Sequence, residues 1–403
     1  MTVHRRLRAI AGAVALAAVA GLTACASAPS AAPTGAAAPA PTVEVSAAPE
    51  DSIPARAAAA VGAMSLREKA AAVVMGHIPT TDPAALSDYM ERTGIGGFIL
   101  MGANIPPDEG ALRGVTEALA IDPSLPPLIA VDQEGGDVSR LPWDAFPSAL
   151  TLKDEPAEAA ADAFSGRGAL VQRAGIGVNF GIVADVTDDP SMFIYRRALG
   201  TTPDASAERV AAAVTGEAGQ AFSTLKHFPG HGAAPGDSHS VIPSTDLSKQ
   251  DWAASDAVPF QAGIDAGAEL LMFGHLVYTS VDDAPATLSP EWHRIAREEL
   301  GFEGVIVTDD LGMLQASGIP EYQDPVRNAV MALAAGSDLL LTVVGSTADT
   351  APRIVDGIVA AVESGDVPSE RLDDAATRVT ALRLEAAASG RGLVPCEDCA
   401  PAG

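Results

Sequence analysis

Short, near-continuous apolar runs recur along this chain and alternate with longer stretches of helical periodicity. The runs cover residues 71–77, 96–101, 127–131, 177–183, 223–227, 269–273, 304–308 and 338–343. Each is apolar on successive residues rather than on alternate ones. That is the pattern of a strand covered on both faces, as in a parallel sheet. Between most of them lie amphipathic helical patterns, such as 83–92, 156–174, 205–222 and 324–335. Eight strand–helix alternations predict an α/β fold built as a single (β/α)8 barrel. A doubly wound sheet is the alternative, but no G-x-G-x-x-G follows the first run.

A barrel of this kind places its working groups just after the C-terminal ends of its strands. The third run ends in Asp132-Gln133-Glu134-Gly135-Gly136, the fifth in Lys226-His227, the sixth in Gly274-His275 and the seventh in Asp309-Asp310. Arg197 follows the fourth after a longer loop. The densest of these places is the loop from Leu225 to His239. It holds three of the seven histidines (His227, His231, His239) and one of the four lysines, Lys226. Three readings compete for it. His227, His231, Asp237 and His239 could form a zinc set, although Pro229-Gly230 disfavours the helix that would align the first two. The loop could be a turn of satisfied polar residues. Or it could be catalytic, with Asp237 hydrogen-bonded to His239, fixing the tautomer of an imidazole that donates a proton. Asp309, at a strand end, is a fixed and aimed carboxylate, while Asp310 faces the other way and is expected to cap the next helix.

Composition narrows the partners. The formal charge is −27, from 25 basic and 52 acidic residues. That argues against nucleic acid and against an electrostatic membrane patch. Three basic residues (Arg5, Arg6, Arg8) and an apolar run from Ile10 to Leu22 read as a secretory signal over residues 1–24. Its ending, Leu22-Thr23-Ala24-Cys25, resembles the lipobox of bacterial lipoproteins. That resemblance implies cleavage before Cys25 and lipidation there, with an extracytoplasmic protein held at the membrane through its acyl chains alone. The alternatives are an ordinary cleaved signal or a retained span, for which the run is short. Residues 25–52 are Ala, Pro, Ser and Thr, a flexible tether. Residues 53–393 read as one domain and 394–403 as a tail. In the tail, Cys396 and Cys399 stand alone, so a small disulfide loop fits an exported chain better than zinc.

Three signatures together resemble glycoside hydrolase family 3, in its NagZ-like β-N-acetylglucosaminidase branch: V-D-Q-E-G-G, then K-H-F-P-G-H-G…D-S-H, then L-G-F-E-G-V-I-V-T-D-D-L-G-M. The likeness spans about Met64 to Leu384. It implies a retaining exo-β-N-acetylglucosaminidase with no cofactor or metal, expected as a monomer, acting on oligosaccharides such as muropeptides that carry N-acetylglucosamine. It further implies Asp309 as nucleophile and His239 as acid/base, oriented by Asp237. Asp132, Arg140, Arg197, Lys226 and His227 would hold the sugar, with Glu134 behind them and with His231 and His275 as packing. Two places depart from the family pattern. Asp137 stands where an arginine is usual, and Ile194-Tyr195-Arg196-Arg197 replaces I-G-D-R. Phosphorolysis by the same residues is the close alternative, because a neutral imidazole does not repel phosphate. A sugar-binding lipoprotein without catalysis is the second.

Overall fold

The computed structural model describes residues 51–391. The leader, Cys25, nearly all of the linker, and the tail with Cys396 and Cys399 lie outside the described residues. Eight strands follow one another as β1 (Val74–Gly76), β2 (Gly97–Leu100), β3 (Leu128–Val131), β4 (Val178–Val183), β5 (Phe222–Phe228), β6 (Leu270–Phe273), β7 (Val305–Thr308) and β8 (Leu340–Leu341). Each pairs in parallel with its sequence neighbours from β1 to β7, and β8 returns to pair with β1, Val74 opposite Leu340. The ring closes between β7 and β8 through one bridge, Val307 to Leu339. There Thr308 donates its N–H to the Leu339 carbonyl and accepts from the Leu341 N–H, each at 3.0 Å. The alternation is therefore a (β/α)8 barrel.

Alternate strand residues fill the interior: Leu128 and Ala130, Val178 and Phe180, Leu270 and Met272, Val305 and Val307, Leu339 and Leu341. Their neighbours, among them Ile129, Leu271 and Ile306, face outward into the helix layer. Apolar residues at successive positions thus serve two cores at once, which is why the runs lack a two-residue period. The last helix, Ser369–Ser389, adds Val379, Leu382 and Ala386 to the interior cluster. Its buried Arg383 donates to the carbonyls of Leu125 and Pro126, just before β3, so this helix stops the N-terminal end of the barrel. Among the described residues no helix is long and apolar enough to cross a membrane.

Two sequence boundaries shift. The run 71–77 begins inside the helix Leu66–Ala72, which a Ser65–Glu68 capping box starts, so β1 keeps only three residues. The helix expected over 205–222 is Pro203–Glu217. Gly219, at φ +81°, turns the chain and Phe222 already belongs to β5.

Candidate active site

At the C-terminal end of the barrel a pocket of about 380 Å³ is lined by Asp132, Arg140, Arg197, Lys226, His227, His239 and Asp309. Seven of the eight sugar-site residues named from the sequence therefore meet there, and the eighth, Asp237, stands behind His239.

One wall is an ionic lattice. After β3 the chain passes Gly135 (φ +84°) and Gly136 (φ +76°), a reversal open to glycine. It returns through a narrow ribbon, Gln133–Gly135 with Val138–Ser139. Asp132 accepts from Lys226 Nζ at 3.1 Å and from Arg140 Nη2 at 3.3 Å. Glu134 takes Lys226 Nζ at 2.6 Å and both Nε and Nη2 of Arg197, at 2.9 and 2.7 Å. Burial works to raise both carboxylates, but the cations prevail. Asp132 is held below its ordinary range by Lys226 and Arg140, and Glu134 is brought down to about 2 by Arg197 and Lys226. Burial likewise works against the Lys226 ammonium, and Glu134 and Asp132 outweigh it. The wall thus offers fixed charges of both signs, as polyhydroxylated ligands require.

Beside it, the buried Asp185, which the sequence did not reveal, accepts from the backbone N–H of His231 at 2.6 Å and of His227 at 3.2 Å, and lies 2.8 Å from His227 Nδ1. Burial raises Asp185 and pushes His227 well below its ordinary value, with Arg197 adding to the effect. The neutral ring then donates from Nδ1 to Asp185 and turns Nε2 toward Arg197 Nη2, 3.3 Å away. Asp185 escaped notice because it sits in an acidic loop with Asp188 and Asp189, with no motif to separate it.

Asp309 follows β7. Its N–H donates to the Phe273 carbonyl at 2.9 Å, and its Oδ1 accepts the Asp310 N–H at 2.7 Å. Burial would raise it, but the imidazoles of His227 and His275, the Asp310 N–H and Lys226 keep it low. Asp310 turns away, as expected. It caps Leu311–Ala316 through the Gly312 N–H and takes the N–H groups of Val343 and Val344. Burial lifts it to about 6. His275 spans Thr287 Oγ1 (3.0 Å) and the Asp310 carbonyl (2.8 Å), a packing role.

His239 and Asp237 ride on the loop after β5. Their side chains are 59% and 45% exposed, and the Asp237 Oδ1 accepts the His239 N–H at 3.0 Å and lies 2.7 Å from its Nδ1. Burial would raise Asp237, but these two contacts lower it. The ring of Phe193, also missed in the sequence, lines the pocket close by. No tryptophan lines it. Trp252 and Trp292 are buried edge-on around Phe228. Among the described residues no cluster of His, Cys, Asp and Glu could hold a metal ion.

A buried carboxylate that stays ionised, fixed cations and an exposed imidazole paired with a carboxylate suit nucleophilic attack with proton transfer on a polar ligand. The sequence profile of the Glycosyl hydrolase family 3 N terminal domain matches residues 65–382. A β-hexosaminidase of Methylococcus capsulatus is 34% identical over 280 residues, covering 67% of this chain and 81% of that protein. The solved structure of a family 3 β-N-acetylglucosaminidase from Paenibacillus superposes with TM-score 0.76 at 30% identity. It matches 82% of this chain, which spans 64% of the length of that one. A β-N-acetylhexosaminidase from Beutenbergia cavernae superposes with TM-score 0.69 at 28% identity, over 79% of this chain and 98% of its own.

Proposed function

Because the chain belongs to glycosyl hydrolase family 3, we propose that it is a retaining exo-β-N-acetylglucosaminidase that removes terminal β-linked N-acetylglucosamine. One observation carries the reading: Asp309, fixed at the end of β7, shares a pocket with the exposed His239, whose Nδ1 lies 2.7 Å from Asp237. The similar β-hexosaminidase and β-N-acetylglucosaminidase support the choice of sugar.

In the first step an Asp309 oxygen attacks the anomeric carbon and the glycosidic C–O bond breaks. The leaving oxygen takes the proton of His239 Nε2, while Asp237 holds Nδ1. The product is a glycosyl ester on Asp309. In the second step His239, now neutral, takes a proton from water, the water oxygen bonds to the anomeric carbon, and Asp309 departs as a carboxylate. Asp132, Arg140, Arg197, Lys226 and His227 grip the sugar hydroxyls from the ionic wall. His239 reaches the leaving oxygen only when its loop moves in over bound sugar, consistent with its exposure here. Peptidoglycan fragments are the substrate, and the enzyme is anchored outside the cytoplasm through Cys25, both readings resting on the leader sequence and the family.

The full chain and its Asp309→Ala variant, each given an aryl β-N-acetylglucosaminide with and without phosphate, test this. Release of the aryl group and free sugar by the parent alone is the expected result. Sugar phosphate among the products would reassign the chain as a phosphorylase. Sugar binding without release by the parent would leave a binding protein.

A further inference from the structure

Phe193 stands where three parts of the pocket meet. It belongs to the loop after β4, between the buried Ile194 and the acidic Asp188-Asp189 stretch. The Arg197 guanidinium carbon lies over its ring, 5.3 Å from the centroid. The buried His231 ring packs against it at 5.4 Å, and His239 meets it edge-on at 5.6 Å with an interplanar angle of 73°. It is the one phenyl ring lining the pocket among the described residues.

His239 needs such a neighbour. Its bond to Asp237 lies within its own loop, two residues away, so it orients the ring in the loop without locating the loop over the sugar. Phe193, by contrast, comes from another strand's loop and is clamped to Arg197, itself doubly bonded to Glu134. A T-shaped contact of this kind is directional, so it can hold a ring at a set angle. An imidazole that keeps this contact as its loop moves in over the sugar is referred to the same rigid wall that grips the ligand.

We propose that Phe193 is a positioning residue for the acid/base, its ring setting the His239 imidazole at the junction between the bound sugar and the leaving-group oxygen. This rests on the proposed function, and in particular on His239 as proton donor.

Leaving-group dependence separates positioning from mere support. The full chain, Phe193→Leu, Phe193→Tyr, His239→Ala and the double variant Phe193→Leu/His239→Ala are compared on two substrates. A dinitrophenyl β-N-acetylglucosaminide needs no proton at its leaving oxygen, whereas a β-linked N-acetylglucosamine disaccharide does. Phe193→Leu is expected to lose about ten-fold or more in kcat/KM on the disaccharide and less than about two-fold on the dinitrophenyl substrate, since kcat/KM reports the first step alone, where only the disaccharide needs the proton. Phe193→Tyr, which keeps the ring, restores most of the loss. In the His239→Ala background the leucine substitution adds nothing further on the disaccharide. Equal losses on both substrates, a cost as large without His239 as with it, or no loss at all would overturn the proposal. If His239→Ala itself fails to discriminate between the substrates, the underlying assignment of the acid/base falls instead, and the two failures are distinct.

Discussion

Single buried side chains decide how the stability of this fold responds to pH. Glu217 has no exposed surface, accepts from Asn179 Nδ2 at 2.6 Å and lies 3.0 Å from Ser223 Oγ. Burial outweighs those bonds and pushes its carboxyl up to about 8. A carboxyl raised in the folded state keeps its proton after the unfolded chain has lost its own. The contribution to stability is therefore full below the ordinary 4.5 and disappears as pH rises through about 8. Asp256, raised to about 7 by burial, acts in the same sense. Glu217→Gln reproduces the protonated shape. It is expected to flatten the fall and to be more stable than the parent near pH 8 by on the order of a few kcal/mol. Urea midpoints between pH 4 and 9 measure this, and a variant less stable at pH 8 would mean that the buried carboxylate is charged and paired. At the same scale, Asp309 and His239 were legible because their neighbours form signatures. Asp185 and Phe193 were not, because what matters in each is a contact with residues 42 and 46 positions away, in the case of Asp185, or with a loop from another strand.

Between elements, two ion pairs tie the loop after β3 to the loop after β4. The inner one is Glu134–Arg197 and the outer is Asp137–Arg196, at 2.6 and 3.0 Å. Both residues of the outer pair fall in the places where the sequence departs from the pattern it resembles. With side chains 59% and 45% exposed, the pair is well screened by solvent and adds little to stability. Asp137→Arg alone sets a third arginine beside Arg196 and Arg197 and is expected to raise KM for an aryl glycoside by about two- to five-fold. Adding Arg196→Asp should restore it. A double variant as impaired as the two single changes combined would show that the pair does not connect the loops. The strand runs and their order were readable because each strand is buried on both faces. The ribbon of Ser244–Thr245 with Val277–Tyr278 was not, since two residues carry no period.

The whole molecule is an acidic barrel, −27 in formal charge, whose proposed attachment depends on one thiol rather than on its surface. Full-length chain expressed with labelled palmitate is expected to carry label in the membrane fraction, and Cys25→Ser to carry none. An unlabelled parent would remove the anchor from the reading. The fold was legible over the span from Ile53 because eight runs leave few other architectures. The cysteines at 25, 396 and 399 fall outside the described residues, so their roles stay with the sequence. The closure of the ring has a bearing on the proposed export. β1 finds its second partner only in β8, more than 250 residues later, and the interior waits for the helix Ser369–Ser389 to stop it. The amino-terminal half therefore has no finished partner to fold against while it is being made. A polypeptide arranged this way cannot close its ring until its last helix is delivered, an order of events that would suit the proposed passage across a membrane.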